Sequence, residues 1–341
     1  MLDDITCDRL LQRIGLTDRP ATDASGLRVV HRAFVSHVPY EDLAVQLGES
    51  EPLDPLALIK RVLRGGRGGY CFEANTVLQT LLETLGFAVE RRQGIVGARD
   101  AHTAGVPTNH LALVVHTPDA GPVIAESGWG EGPLDPLPLI EGPVRAGVFN
   151  FRIERQSDGW WVTQHEFGSS AGFWFADAAA TLADFQPHHE RLATSPDSSF
   201  VQTLVVQQPF EDRIVTVRAR TVFTDGPGRR HRRVLENPQA FAAVLRDTFG
   251  IDPEALGPER LHRLWAKAAD QHEAHRAPTR HADRESPRVG GHAGSATARS
   301  VTPPRQPKPP GPPSATPRRG PEASPGEHRR TSSHRRPPRS A

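Results

Sequence analysis

Between residues 71 and 86 the apolar positions Ala74, Val77, Leu78, Leu81, Leu82 and Leu85 follow i, i+3, i+4 spacing. That is one face of an α-helix. The pattern predicts a helix that begins at Cys71 and ends at Gly86, where a left-handed cap is wanted. Helical spacing recurs over residues 23–36 and 55–63, with the turns PYEDL and EPLDP between them, so residues 1–90 read as mostly helical. From Gly86 the period moves from 3.6 towards 2. FAVERRQGIVGAR, LALVVH, PVIAES, VFNFRIERQ and GWWVTQHEF are short, β-branched or aromatic, and separated by Gly, Pro and Asp. They predict an antiparallel sheet or small barrel. Beyond the helix-start signal Ser195-Pro196-Asp197 come two more strands, LVVQQPF and RIVTVRARTVFT, and a helix PQAFAAVLRDTFG capped by Gly250.

Composition changes this picture at one end. The 341 residues sum to a net charge of +1, yet residues 271–341 carry 14 Lys plus Arg against 5 Asp plus Glu, leaving 27 against 35 in the rest. An acidic body therefore carries a basic tail. The tail holds 14 of the 32 prolines and no Phe, Trp, Tyr, Leu or Ile, so it lacks the apolar surface needed to offset its ordering entropy and is read as disordered. It is either a basic arm for a partner or a passive extension. Nucleic acid is not expected as its ligand, because its arginines are not interleaved with aromatics. Two distant cysteines make no disulfide framework and fit a reducing cytoplasm. The acidic start MLDDITCDRL and the lack of any run of about 18 apolar residues predict neither export nor a membrane span.

The candidate chemistry starts at RGGRGGYCFEAN, residues 64–75. A thiol in the first turn of a helix feels the positive end of the helix dipole, which is expected to lower its pKa, and nearby backbone N–H groups can hold an oxyanion. The glycines let the backbone approach what the thiol attacks. A buried structural cysteine is the other reading. A nucleophilic thiol needs a base, and the base an orienting acceptor. His110 starts the strand NHLALVVH; if the hairpin centres on Asp119, Ala112 pairs with Glu126, and His110 lies diagonal to Glu126 on the same face. A one-residue slip would separate them, and Asp119 and Asp135 remain rival acids. His102, His110 and His116 are near in sequence, but no CxxC or HExxH spacing marks a metal site, and none is expected.

Taken in order, VPYEDLAVQLG, RGGRGGYCFEAN, NHLALVV, ESGWGEGPLDPLPL, SPDSSFVQTLVVQ and a final FGI resemble the arylamine N-acetyltransferase family over residues 1–268. The resemblance implies an α+β fold with an N-terminal helical bundle (1–88), a central antiparallel β-barrel (89–203) and a C-terminal α/β lid (204–270), ahead of the tail (271–341). It implies a ping-pong transfer of acetyl or another acyl group from acyl-coenzyme A to an arylamine or hydrazine, with no tightly bound cofactor. Cys71 is then the nucleophile, His110 the base, and Glu126 stands where the family has aspartate. The family's Asp-Val-Gly-Phe-Gly reads Glu126-Ser127-Gly128-Trp129-Gly130 here. Gly128, Trp129 and Gly130 are expected to shape a loop near the donor, and Phe34 and Tyr40 to wall the amine pocket. Two alternatives stay open: an amide synthase taking its acyl chain from an acyl carrier protein, which the basic tail could dock, and a binding module without turnover.

Overall fold

The structure, a computed structural model, describes residues 1–276. Residues 271–276, placed in the expected disordered tail, are helical here, because the apolar face of the preceding helix carries the chain on; the rest of that tail, 277–341, lies outside the described residues.

The chain opens with helices α1 (Asp4–Arg13) and α2 (Ala24–His37), a two-residue strand β1 (Tyr40–Glu41), and helices α3 (Leu43–Leu47), α4 (Pro55–Gly65) and α5 (Cys71–Thr84). Asp3, Asp23 and Asp54 cap α1, α2 and α4, each accepting a backbone N–H three residues on. Each such cap stabilises by about 1 kcal/mol. Gly86 ends the α5 segment at φ +96°.

Strands β2 (Ala88–Gly97), β3 (His110–Thr117), β4 (Gly121–Ile124), β5 (Leu137–Pro138), β6 (Gly142–Ala146), β7 (Phe149–Arg155), β8 (Gly159–Thr163) and β9 (Gly172–Ala180) form one antiparallel sheet. Its order is β5-β4-β3-β2-β9-β8-β7-β6. The two end strands are consecutive in the chain and touch, so the sheet is nearly closed like a barrel. After helices α6 (Gln186–Thr194) and α7 (Ser199–Gln202), strands β10 (Val205–Pro209), β11 (Ile214–Arg218), β12 (Thr221–Gly226) and β13 (Arg229–Val234) join β1 in a second sheet, ordered β1-β10-β11-β12-β13. Helices α8 (Pro238–Phe249), α9 (Pro253–Leu256) and α10 (Pro258–Arg276) follow. The fold is thus mixed α and β, with a nearly closed antiparallel sheet.

The single strand predicted over RIVTVRARTVFT is two. Arg218 pairs with Thr221, and Ala219 turns the chain at φ +49°. Turns of this kind favour Gly, Asn or Asp, and the alternation continues through the corner, so the sequence carried no turn signal. The strand predicted over 159–167 stops at Thr163.

Strand β3 explains its own unbroken apolar run. Leu111, Leu113 and Val115 pack in the core around α5, whereas Ala112 and Val114 face the core of the nearly closed sheet with Phe149, Phe151 and Phe173. Both faces are buried, so neither is polar. A third core joins Val206 and Val217 to Phe241 of α8 and Leu264 of α10.

Candidate active site

Gly68 and Gly69 bring the chain into α5 with no room for side chains. A Cβ on Gly68 would lie 2.2 Å from the Pro39 carbonyl oxygen, and one on Gly69, at φ +83°, would lie 2.2 Å from the Glu73 carboxylate. Glu73 reaches back along the helix start to accept from the Tyr70 N–H (3.3 Å), and Arg61 donates to its other oxygen (2.7 Å). Burial pushes the Glu73 carboxyl up, but the charge and hydrogen bond of Arg61 outweigh it and hold it below its usual value. The buried Tyr70 hydroxyl meets His189 Nδ1 at 2.6 Å. So the start of α5 is pinned from three sides, and Cys71 with it.

The β3–β4 hairpin has the register that centres on Asp119: Val114 pairs with Ile124 and Val115 with Val123. His110 and Glu126 consequently share a face. His110 Nε2 lies 2.9 Å from Glu126 Oε2, both side chains almost fully buried. The other ring nitrogen, Nδ1, is buried without a hydrogen-bond partner. The rival acids are engaged elsewhere: Asp119 accepts from the Ala24 N–H at the start of α2 (2.9 Å), and Asp135 is held by Arg32 (2.8 Å).

Asn75, one turn after Cys71 on α5, is the junction that sequence reasoning passed over. Its Nδ2 donates to Glu126 Oε1 (2.7 Å) and the Leu111 carbonyl (2.6 Å), and its Oδ1 accepts from the Ser127 N–H (3.0 Å) and hydroxyl (2.7 Å). Glu126 Oε1 also accepts from the Gly128 N–H at 2.7 Å. The i, i+4 spacing of Cys71 and Asn75 within CFEAN was the available signal. Behind Glu126, the buried His31 accepts the Glu126 N–H at Nε2 (2.9 Å) and donates from Nδ1 to the Leu134 carbonyl (2.9 Å). Burial lowers its pKa, so it stays neutral in that role.

The expectation of a lowered thiol pKa needs correction. Burial, and then the charge of Glu126, push the Cys71 thiol up; backbone N–H groups of Leu111 and Phe72 act the other way and do not offset them. The thiol donates to the Asn109 carbonyl at 3.3 Å. Desolvation therefore outweighs the helix terminus.

A cavity of about 300 Å³ opens onto these groups. Cys71, His110, Tyr40, Gly128, Trp129 and Gly130 all line it. Gly128 is a close-approach position: a Cβ there would lie 2.5 Å from Cys71 Cα. Trp129 packs edge-on against Phe173, their centroids 4.9 Å apart. Phe34 is elsewhere. It shares the buried face of α2 with Leu27 and Val30 and serves the helical core. Phe200, Glu131 and Arg218, none anticipated, are also in the lining. Burial raises the Glu131 carboxyl although Ser169 donates to it through N–H (2.6 Å) and hydroxyl (2.8 Å). His102 stacks on Trp174 and His116 lies 3.4 Å from Glu90, while His110 serves Glu126. Among the described residues no group of three or more His, Cys, Asp or Glu could hold a metal ion, and no helix is long and apolar enough to cross a membrane.

A chain of this α and β architecture, with a thiol and an imidazole on one cavity and a carboxylate on the far nitrogen of that imidazole, stands among the acyltransferases. It belongs to the N-acetyltransferase family, whose model matches residues 23–256. The arylamine N-acetyltransferase of Mycolicibacterium smegmatis is 31% identical over 267 residues, covering 76% of this chain and 97% of that one. The solved M. smegmatis arylamine N-acetyl transferase superposes with a TM-score of 0.70 at 27% identity, covering 78% and 98%. That of Mycobacterium marinum in complex with CoA gives 0.68 at 26% identity, covering 76% and 97%.

Proposed function

We propose that the protein transfers an acetyl or other acyl group from acyl-coenzyme A to an arylamine or hydrazine through an acyl-Cys71 thioester. The observation that carries this reading is the 2.9 Å contact of His110 Nε2 with Glu126, which leaves the buried Nδ1 without a partner on the cavity that also holds Cys71. A glutamate does the orienting work here because Asn75 and Gly128 both fix its far oxygen.

His110 Nδ1 takes the Cys71 proton as sulfur attacks the thioester carbonyl. Backbone N–H groups at the α5 start, that of Cys71 among them, stabilise the oxyanion. The carbon–sulfur bond to coenzyme A breaks, and the imidazolium returns the proton to the departing thiolate. Exchange of one thioester for another stores the acyl group at little cost. The amine then attacks, the bond to Cys71 breaks, His110 carries the proton lost by nitrogen to sulfur, and an amide forms. Tyr40, Phe200 and Trp129 supply aromatic walls to hold a flat acceptor. Acyl-coenzyme A is the co-substrate in this reading. The carrier-protein and binding-module alternatives have no observation in their favour.

Intact mass after incubation with acetyl-coenzyme A, without amine, is the test. Wild type gains one acetyl group and Cys71→Ala gains none. An adduct on both proteins, or on neither with acetyl and longer donors, refutes the covalent route.

A further inference from the structure

On α4, Lys60, Arg61 and Arg64 gather basic side chains beside Arg67 of the glycine loop, and Arg260 of α10 faces the same space. They line a cavity of about 550 Å³, into which the chain after α3 brings Glu49, Ser50 and Glu51. Five cations thus meet two carboxylates, and Glu49 is already taken by Arg260 at 2.7 Å.

The inner edges of two arginines are committed. Arg61 Nη1 donates to Glu73 (2.7 Å), and Arg67 Nε lies 3.5 Å from Glu41 without hydrogen-bond geometry. Arg61 Nη2 also reaches the Gly68 carbonyl, at 3.5 Å. Arg61 Nε, Arg67 Nε and Nη2, and the Ser50 hydroxyl are shielded from solvent with no hydrogen-bond partner. Buried donors of this kind are costly unless an acceptor meets them. Lys60 and Arg64 are exposed and have no ion-pair partner among the described residues.

We propose that this cavity is a binding site for a phosphorylated ligand, separate from the cavity that holds Cys71. A phosphate presents several acceptor oxygens and two charges to converging guanidinium groups, which suits their planar forks better than a single carboxylate does. The volume admits a diphosphate with an attached group. The proposal does not rest on the chemistry at Cys71.

Calorimetric titration of the full chain with inorganic pyrophosphate tests it. Wild type shows one saturable site. Lys60→Glu and Arg64→Glu, both exposed changes expected to leave the melting temperature alone, each weaken it about tenfold or more. Arg246→Glu, a charge reversal on the exposed face of α8, leaves it unchanged. Absence of saturable binding to wild type, or equal affinity in all three variants, overturns the proposal. Pre-incubation with desulfo-coenzyme A separates the sources of phosphate: displacement assigns the site to the donor's own phosphates, and undiminished binding to a separate phosphorylated molecule.

Discussion

A buried thiol whose proton is held by desolvation reacts only as fast as a neighbour removes that proton. On the proposed mechanism His110 is that neighbour. At pH 7, iodoacetamide is expected to alkylate Cys71 about 100-fold faster in wild type than in His110→Gln, the lower end of what a positioned base contributes. The variant's rate rises with pH only above the ordinary thiol value of 9.0, because burial pushes the Cys71 thiol higher still. Equal rates at pH 7 would take the proton-transfer role from His110. Asn75 tests the carboxylate. In Asn75→Ala, Glu126 loses one donor from its far oxygen, and a hydrogen bond to a charged group contributes about 1.5–3 kcal/mol. Steady-state kinetics should show kcat lower by about 10- to 100-fold with little change in KM for the donor. An unchanged kcat means that Glu126 is oriented without Asn75. Of these residues Cys71, His110 and Glu126 were legible in sequence. Asn75 was not, since an asparagine's importance depends on which buried groups surround it.

The α4–loop–α5 unit is held from beneath by Arg61 and Glu73, and its pH response can be worked out. With Arg61 present, Glu73 has a depressed pKa, so its contribution is present above the usual value of 4.5 and lost as pH falls. In Arg61→Met burial is opposed only by the charges of His189 and Arg67 and the Tyr70 N–H, so the Glu73 pKa rises and the contribution present above 4.5 shrinks. Denaturant unfolding should therefore show a gap between the two proteins that widens from pH 4 to pH 7, towards the roughly 3–5 kcal/mol that follows from leaving a buried charge unpaired. A gap independent of pH would mean the pair acts by packing only. Elements themselves were legible where one physical signal dominated: the α5 stripe, its Gly86 end and the hairpin about Asp119 are local periodicities. The corner at Ala219 was not, because a residue without turn chemistry is held there at positive φ by the sheet on either side.

At the scale of the molecule, three cores share the described residues: one around α5, one inside the nearly closed sheet, and one between the second sheet and α8 and α10. The thiol, its partners and both cavities are built from residues 1–276. A chain ending at Arg276 is accordingly expected to keep the melting temperature and the acetyl-transfer rate of the full chain within experimental error. A lost rate with small thioesters would show that residues 277–341 contribute to turnover.

The amino-acid sequence by itself determined the helix behind Cys71 and the change of period at Gly86, and it offered, without fixing, the register that sets His110 beside Glu126. These depend on residues near one another along the chain, where side-chain spacing leaves few options. Only the tertiary structure decided that the Cys71 thiol is raised and not lowered, that Asn75 joins helix to carboxylate, and that Phe34 serves the core while Phe200 and Glu131 reach the cavity. Those outcomes turn on desolvation and on contacts between distant segments, and neither is written in the spacing of residues along one strand or helix.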